Sequence, residues 1–87
     1  MKSNMDQRAI NIIVNFYYAI ETEYQSGVLK DQLENKDLDL LRELIFEVNE
    51  YGVAAKTILS IFERFSILDK YVNSDDFQYL NKFATRV

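Results

Sequence analysis

Apolar residues recur along most of the chain at steps of three and four, the spacing that an α-helix places on one face. In the first segment this stripe is continuous and comprises Ile10, Ile13, Val14, Phe16, Tyr17, Ile20 and Tyr24. Ser3 and Asp6 precede the stripe in the spacing of a capping box, and Ser26 and Gly27 follow it as a stop signal. The pattern predicts a long first helix over about residues 5–25.

Three later segments repeat this spacing and predict shorter helices at about residues 37–49, 52–66 and 75–85. Asp37 is a suitable N-cap for the second helix, whose inward stripe would be Leu38, Leu41, Ile45 and Val48. The third helix carries Val53, Ala54, Ile58, Ile61, Phe62 and Phe65. Ser74 would cap the fourth helix, with Phe77, Leu80, Phe83 and Ala84 on its buried side.

Residues 28–36 leave two interpretations open. Val28, Leu29 and Leu33 could belong to a short helical turn, or to a loop whose apolar side chains fold inward. Neither interpretation changes the fold class, because the chain has no proline and only two glycines, which argues against hairpins and a β fold. We therefore expect one all-α domain over residues 1–87, a compact bundle of about four helices.

Composition narrows the class of protein further. There is no cysteine, so a disulfide framework is excluded. The first residues lack the apolar stretch of a signal peptide, and no apolar run is long enough to span a membrane. The expected location is therefore the cytoplasm, with no membrane partner.

The negative charge of the chain is concentrated in one stretch. The whole sequence carries a net charge of −4, and residues 37–52 alone account for that value. This stretch contains a single base, Arg42, against Asp37, Asp39, Glu43, Glu47 and Glu50. A phosphate-binding surface needs clustered lysine and arginine, so direct binding of nucleic acid is not expected.

The residue types available for chemistry are few. Without histidine or cysteine the chain has no imidazole base, no thiol nucleophile and no ordinary zinc site. Its two glycines, Gly27 and Gly52, are far apart, so there is no glycine-rich phosphate loop. We expect a protein that is not an enzyme and that needs no cofactor or metal.

Glu43 and Glu47 of the predicted second helix are four residues apart and therefore neighbours on one face, and Asp39 and Glu50 extend the same row. The row has three possible meanings: an ordinary solvated face, a recognition strip for a cationic partner, or a metal or catalytic site. Like charges at this spacing cost about 0.2–0.5 kcal/mol per pair in a free helix. An uncompensated row is therefore mildly unfavourable until a basic partner covers it, which favours recognition slightly.

Three tyrosines are candidate partner-binding residues in addition to these acids. Tyr51 follows Glu50 directly and could anchor a partner beside the acids or be partly buried at the helix junction. Tyr18 lies on the polar face of the first helix, with Asn11, Asn15 and Thr22. Tyr79 is one residue away from the apolar stripe of the last helix. We treat Tyr18 and Tyr79 as secondary candidates.

Two stretches carry a resemblance to a known family: residues 41–59, LRELIFEVNEYGVAAKTIL, and residues 73–80, NSDDFQYL. They resemble the MafI-type immunity proteins, similar to the immunity proteins of contact-dependent inhibition systems. In that family an acidic helix ends in an Asn/His-Glu-Tyr/Trp-Gly junction, a small residue opens the next helix, and serine with acids opens the last. The resemblance covers roughly residues 38–84. Ala55 and Lys56 stand where members often have Leu-Glu.

The resemblance implies an antitoxin that binds the C-terminal domain of a cognate bacterial toxin, and some such antitoxins neutralise EndoU-type ribonucleases. On that reading Asp39, Glu43, Glu47 and Glu50 contact the basic surface of the toxin and Tyr51 anchors it. A monomer is the favoured state. The alternative is a homodimeric structural or accessory protein of phage or plasmid origin without a toxin partner, joined through the Asn11–Thr22 face or an apolar edge.

Overall fold

The computed structural model of the protein describes residues 6–86, and helices account for most of them. In chain order these are α1 (Gln7–Gln25), α2 (Asn35–Arg42), a π-helical segment (Glu43–Glu47), α3 (Tyr51–Arg64), a 3₁₀ segment (Ser66–Tyr71) and α4 (Ser74–Arg86). No strand occurs within residues 6–86. The all-α prediction of about four helices is confirmed, with boundaries close to those expected.

Both ends of α1 follow from its sequence. Asp6 is the N-cap, and its Oδ1 accepts a hydrogen bond of 3.1 Å from the backbone N–H of Ala9. Ser3, the other half of the expected capping box, lies outside the described residues. The helix ends at Ser26 and Gly27, as the sequence predicted, and Gly27 has φ +93°, a value that residues with a side chain rarely adopt.

The predictions of Asp37 and Ser74 as N-caps are wrong by three residues and by one residue, respectively. Helix α2 begins at Asn35 with Glu34 at the cap position, so Asp37 lies in its first turn. The helix dipole stabilises an acid both at the N-cap and in the first turn. Asp37 therefore indicates the start of the helix only to within one turn. Asn73, not Ser74, caps α4: its Oδ1 accepts from the N–H groups of Asp75 and Asp76 at 3.0 and 3.2 Å.

Helices α1, α3 and α4 pack against one another and form the core. Phe16, Phe62 and Phe77, one from each helix, are in mutual ring contact with centroids 4.8–6.5 Å apart. Around them lie fully buried aliphatic side chains from five parts of the chain, among them Ile13, Ile20, Leu38, Leu41, Ile58, Leu68 and Leu80. The 3₁₀ segment packs on α1 and α3, and the π segment packs on α3.

The segment between α1 and α2 combines both interpretations left open for it. Residues 26–32 form hydrogen-bonded turns, and Leu29 and Leu33 point into the core with 1% of their surface exposed. Their backbones are joined by a bond of 2.8 Å from the N–H of Leu33 to the carbonyl of Leu29. Val28, in contrast, is 45% exposed.

A change of helical pitch explains why Val48 was wrongly placed on the inward stripe. The second helix continues as the π segment, where the N–H of Val48 bonds to the carbonyl of Glu43, five residues earlier. The wider turn holds one extra residue and so rotates everything after it about the helix axis. Leu44 and Ile45 consequently stay buried, while Val48 is 49% exposed.

Buried polar groups tie the 3₁₀ segment to α1. The carboxylate of Glu23 is buried, and it accepts hydrogen bonds from the Tyr71 hydroxyl at 2.5 Å and from the Lys70 ammonium at 3.1 Å. The bonds from Tyr71 and Lys70 lower the pKa of Glu23, while the hydrogen bond to Glu23, together with burial, raises the pKa of Tyr71. No buried side-chain nitrogen or oxygen in residues 6–86 lacks a hydrogen-bond partner.

Candidate partner-binding surface

The predicted acidic residues lie on the exposed side of the second helix and at its end. Glu43 and Glu47 are the first and last residues of the π segment, and Glu50 follows it; all three are exposed. Their carboxylates form no ion pair or side-chain hydrogen bond with another residue in the described range 6–86. Glu43 and Glu47 line an open depression of about 440 Å³ together with Asp39, Arg42 and Val48.

Asp39 differs from the other three acids, because its charge is already compensated. Its Oδ1 accepts a hydrogen bond of 2.6 Å from Arg42, one turn along the same helix. The expectation of four uncompensated carboxylates is therefore corrected to three: Glu43, Glu47 and Glu50. The cause is the single base of the acidic stretch, which lies three residues from Asp39, within reach of its carboxylate.

Arg42 also connects the second helix to α1. Its Nη2 donates to both carboxylate oxygens of Glu21 at 2.9 and 3.1 Å, and its Nε donates to the Tyr17 hydroxyl at 2.9 Å. The Tyr17 hydroxyl in turn donates to Glu21 at 3.0 Å. Every polar atom of this cluster thus has a charged or hydrogen-bonding partner, and the cluster fixes the orientation of the second helix beside α1.

The pKa directions in this cluster follow from the contacts. Burial alone would raise the pKa of Glu21, but the hydrogen bonds from Arg42, Tyr17 and Gln25 outweigh it and lower the pKa. Burial raises the pKa of Tyr17, against the opposing effect of the Arg42 hydrogen bond. The bonds to Glu21 and Tyr17 raise the pKa of Arg42, which stays charged at any pH at which the protein folds.

The junction between the π segment and α3 is built by Asn49, Glu50 and Tyr51. Asn49 has φ +56°, the left-handed conformation that ends a helix, and the N–H of Glu50 bonds back to the carbonyl of Leu44 at 2.8 Å. Glu50 is the N-cap residue of α3 through its backbone carbonyl, while its side chain makes no capping bond. Because the chain turns here, Glu50 lies beyond the end of the second helix, and the depression beside Glu43 and Glu47 is lined without it.

Tyr51 is half-buried and packs against the core. Its hydroxyl donates to the Asn49 side chain at 3.1 Å, so the ring helps to hold the junction. Tyr79 also has internal partners: its hydroxyl donates to both carboxylate oxygens of Asp6 at 2.8 and 3.0 Å, which raises its pKa. Tyr18 is 53% exposed, as its place on the polar face suggested.

Phe46 is the surface residue that the sequence analysis missed. It lies between Ile45, which is buried, and Glu47, which is exposed, and 51% of its own surface is exposed. Its ring meets Tyr17 edge to face at 5.6 Å, and Tyr17 contacts Tyr18 at 5.2 Å. The sequence does contain a signal for this exposure. On an α-helical spacing Phe46 falls outside the stripe of Leu38, Leu41 and Ile45, on the side of the helix that carries the acids.

No group of three or more acidic, cysteine or histidine side chains is arranged to hold a metal ion within residues 6–86. None of the helices described between these limits combines the length and apolarity that crossing a membrane requires.

Comparison with known proteins identifies no relative. The sequence matches no protein-family model, and neither a curated protein nor a solved structure is significantly similar to it.

Proposed function

We propose that this protein is an immunity protein, an antitoxin that binds a basic toxin domain through the surface formed by Glu43, Glu47 and Glu50, which we call the acidic surface. The observation that carries the proposal is the uncompensated state of these three carboxylates on a braced helical scaffold. An uncompensated row of like charges costs stability in the free protein, and a cationic partner removes that cost.

The electrostatics suit a toxin that acts on nucleic acid. A ribonuclease must bind phosphates, so it presents lysine and arginine around its cleft, and carboxylates on a rigid helix can occupy the place of those phosphates. Glu21 and Asp39 share the charge of Arg42, and the three unpaired acids add to them, so these five carboxylates and one guanidinium have a net charge of −4. The resemblance to MafI-type proteins supports an EndoU-type ribonuclease as the partner.

The test is a charge reversal measured against the domain encoded at the 3′ end of the reading frame immediately upstream. The double variant Glu43→Lys/Glu47→Lys should associate with that domain about 10- to 1,000-fold more slowly at low salt, because opposite potentials steer the encounter. Stopped-flow or surface plasmon resonance measures the rate, and growth rescue during co-expression measures protection.

The matched control is Asp31→Lys/Glu63→Lys, which changes the net charge of the chain by the same amount at exposed positions away from the acidic surface. It should bind at close to the wild-type rate. If the two double variants slow association equally, only overall charge matters and the acidic surface is not the contact. If the wild type does not bind the domain or protect cells, the antitoxin function itself is wrong.

A second candidate is a homodimer, and one observation favours it. The α1 face that carries Asn11, Asn15, Tyr18 and Thr22 is exposed along its length and uncharged, so two copies could meet there without repulsion. Concentration-dependent sedimentation that Tyr18→Ala abolishes would support this function. A monomer over the micromolar range would leave the antitoxin proposal as the better one.

A further inference from the structure

We propose that Phe46 and Tyr18 form an aromatic site, next to the acidic surface, that receives arginine side chains of the partner protein. The inference rests on the proposed function, because it names what the basic partner presents, but it is tested separately. Tyr17, Tyr18 and Phe46 are in consecutive ring contact, so two half-exposed rings border a buried one. We call these three side chains the aromatic patch.

The patch is built on a buried ring that hydrogen bonds hold in place. Tyr17 is 4% exposed, and its hydroxyl is fixed by Arg42 and Glu21 at 2.9 and 3.0 Å. The Phe46 ring, which stands on Tyr17, therefore starts from a defined position. An edge-to-face contact covers at most one face of the Phe46 ring, so another face is left for a ligand. A preordered aromatic side chain loses little entropy on binding and is the usual kind of interface anchor.

The charges near Phe46 indicate which kind of side chain would bind to its ring. Glu43, Phe46 and Glu47 all belong to the five-residue π segment, so two exposed carboxylates lie within one turn of the ring, and neither forms an ion pair within residues 6–86. A purely apolar partner would cover these carboxylates without neutralising them, at a desolvation cost. A guanidinium satisfies both features, because it stacks flat on an aromatic face and donates to a carboxylate at its edge.

The chain already contains one arrangement of this kind. The guanidinium of Arg8 lies over the Tyr79 ring, 4.3 Å from its centroid, and its Nη2 is 3.9 Å from a carboxylate oxygen of Asp76. There an arginine is held between an aromatic ring and an acid on a neighbouring helix. At Phe46 the ring and the acids are present in this protein, and the arginine would come from the partner.

The experiment compares hexa-arginine with hexa-lysine as probes, because the two peptides carry equal charge and only arginine stacks well on a ring. In an NMR titration of the isotope-labelled protein, hexa-arginine should bind about two- to fivefold more tightly than hexa-lysine, with the largest shifts at Phe46, Tyr18 and Glu43. The variants Phe46→Ala and Phe46→Leu should bind both peptides equally and weakly.

The matched control is Ile67→Ala, which removes a partly exposed apolar side chain from the 3₁₀ segment and should keep the preference for arginine. Phe46→Leu guards against unfolding, since it preserves apolar volume and removes only the ring. Equal binding of the two peptides to the wild type, or shifts absent from Phe46, overturns the inference.

The cognate domain gives a second readout that separates this inference from the proposed function. With that domain, Phe46→Leu should raise Kd at least about tenfold at both low and high salt, because ring contacts are not screened. Tight toxin binding that ignores Phe46 overturns the aromatic site alone. A toxin domain that the wild type does not bind overturns the antitoxin function, whatever the peptides show.

Discussion

Replacing Arg42 by Met tests whether the cluster of Arg42, Tyr17, Glu21 and Asp39 braces the second helix against α1. Methionine keeps most of the aliphatic stem and removes four donated hydrogen bonds: one to Tyr17, one to Asp39 and two to Glu21. A hydrogen bond to a charged group contributes more than a neutral one, but Arg42 is 38% exposed and solvent screens part of the effect.

We therefore expect Arg42→Met to lower the free energy of unfolding by about 1–2 kcal/mol, which corresponds to a fall in Tm of roughly 5–15 °C for a domain of this size. Urea unfolding followed by circular dichroism measures the first quantity, and thermal unfolding the second. The difference from wild type should shrink in 1 M salt, where the Debye length is about 3 Å.

A double-mutant cycle with Glu21→Gln makes the test specific to the pair. The coupling energy should be about 0.5–1 kcal/mol, since each single variant removes the same contact. Without Arg42 the Tyr17 hydroxyl no longer accepts a hydrogen bond from the guanidinium. Arg42→Met should therefore change the fluorescence or the NMR signals of Tyr17. A variant as stable as the wild type at all salt concentrations would refute the bracing role of Arg42.

Two further predictions concern acid stability and the π segment. The lowered pKa of Glu23 means that its bonds to Tyr71 and Lys70 stabilise the fold above its ordinary pKa of about 4.3 and are lost as the pH falls through the lowered value. Glu23→Gln should thus be less stable than the wild type at pH 7, and its urea midpoint should fall less steeply as the pH is lowered. Equal slopes for the variant and the wild type would contradict this. For the π segment, Leu44→Ala should cost about 2–5 kcal/mol and Val48→Ala less than about 0.5 kcal/mol. Similar costs in urea unfolding would mean that Val48 is packed after all.

The helices themselves were predictable because their apolar residues keep a regular spacing. The stripe from Ile10 to Tyr24 defines α1 without any tertiary information, and Gly27 marks its end by a conformation that few other residues adopt. The predicted caps at Asp37 and Ser74 failed for a local reason: acids and small polar residues cluster at helix starts, and several neighbours there can satisfy the same N–H groups.

The candidate surface was predictable only in part. The exposure of Glu43 and Glu47 follows from the stripe opposite them, whereas the pairing of Asp39 with Arg42, and of Arg42 with Glu21, depends on how α1 lies beside the second helix. The spacing of apolar residues along the chain carries no information about such a long-range contact. Phe46 lies outside the apolar stripe, and the spacing of apolar residues does not show that its ring would contact Tyr17 of another helix.

The second helix is linked to the rest of the fold in two ways: its buried leucines and Ile45 belong to the same core cluster as α1, and Arg42 and Phe46 reach Tyr17 and Glu21 of α1 from the helix surface. In the function that we propose, Phe46 thus serves both recognition and packing, whereas Glu43, Glu47 and Glu50 take no part in the link between the helices. Substitution of these three acids would change the charge on the surface while the packed trio of α1, α3 and α4 remains as it is. One scaffold of this kind could be retuned to a succession of different partners in small steps.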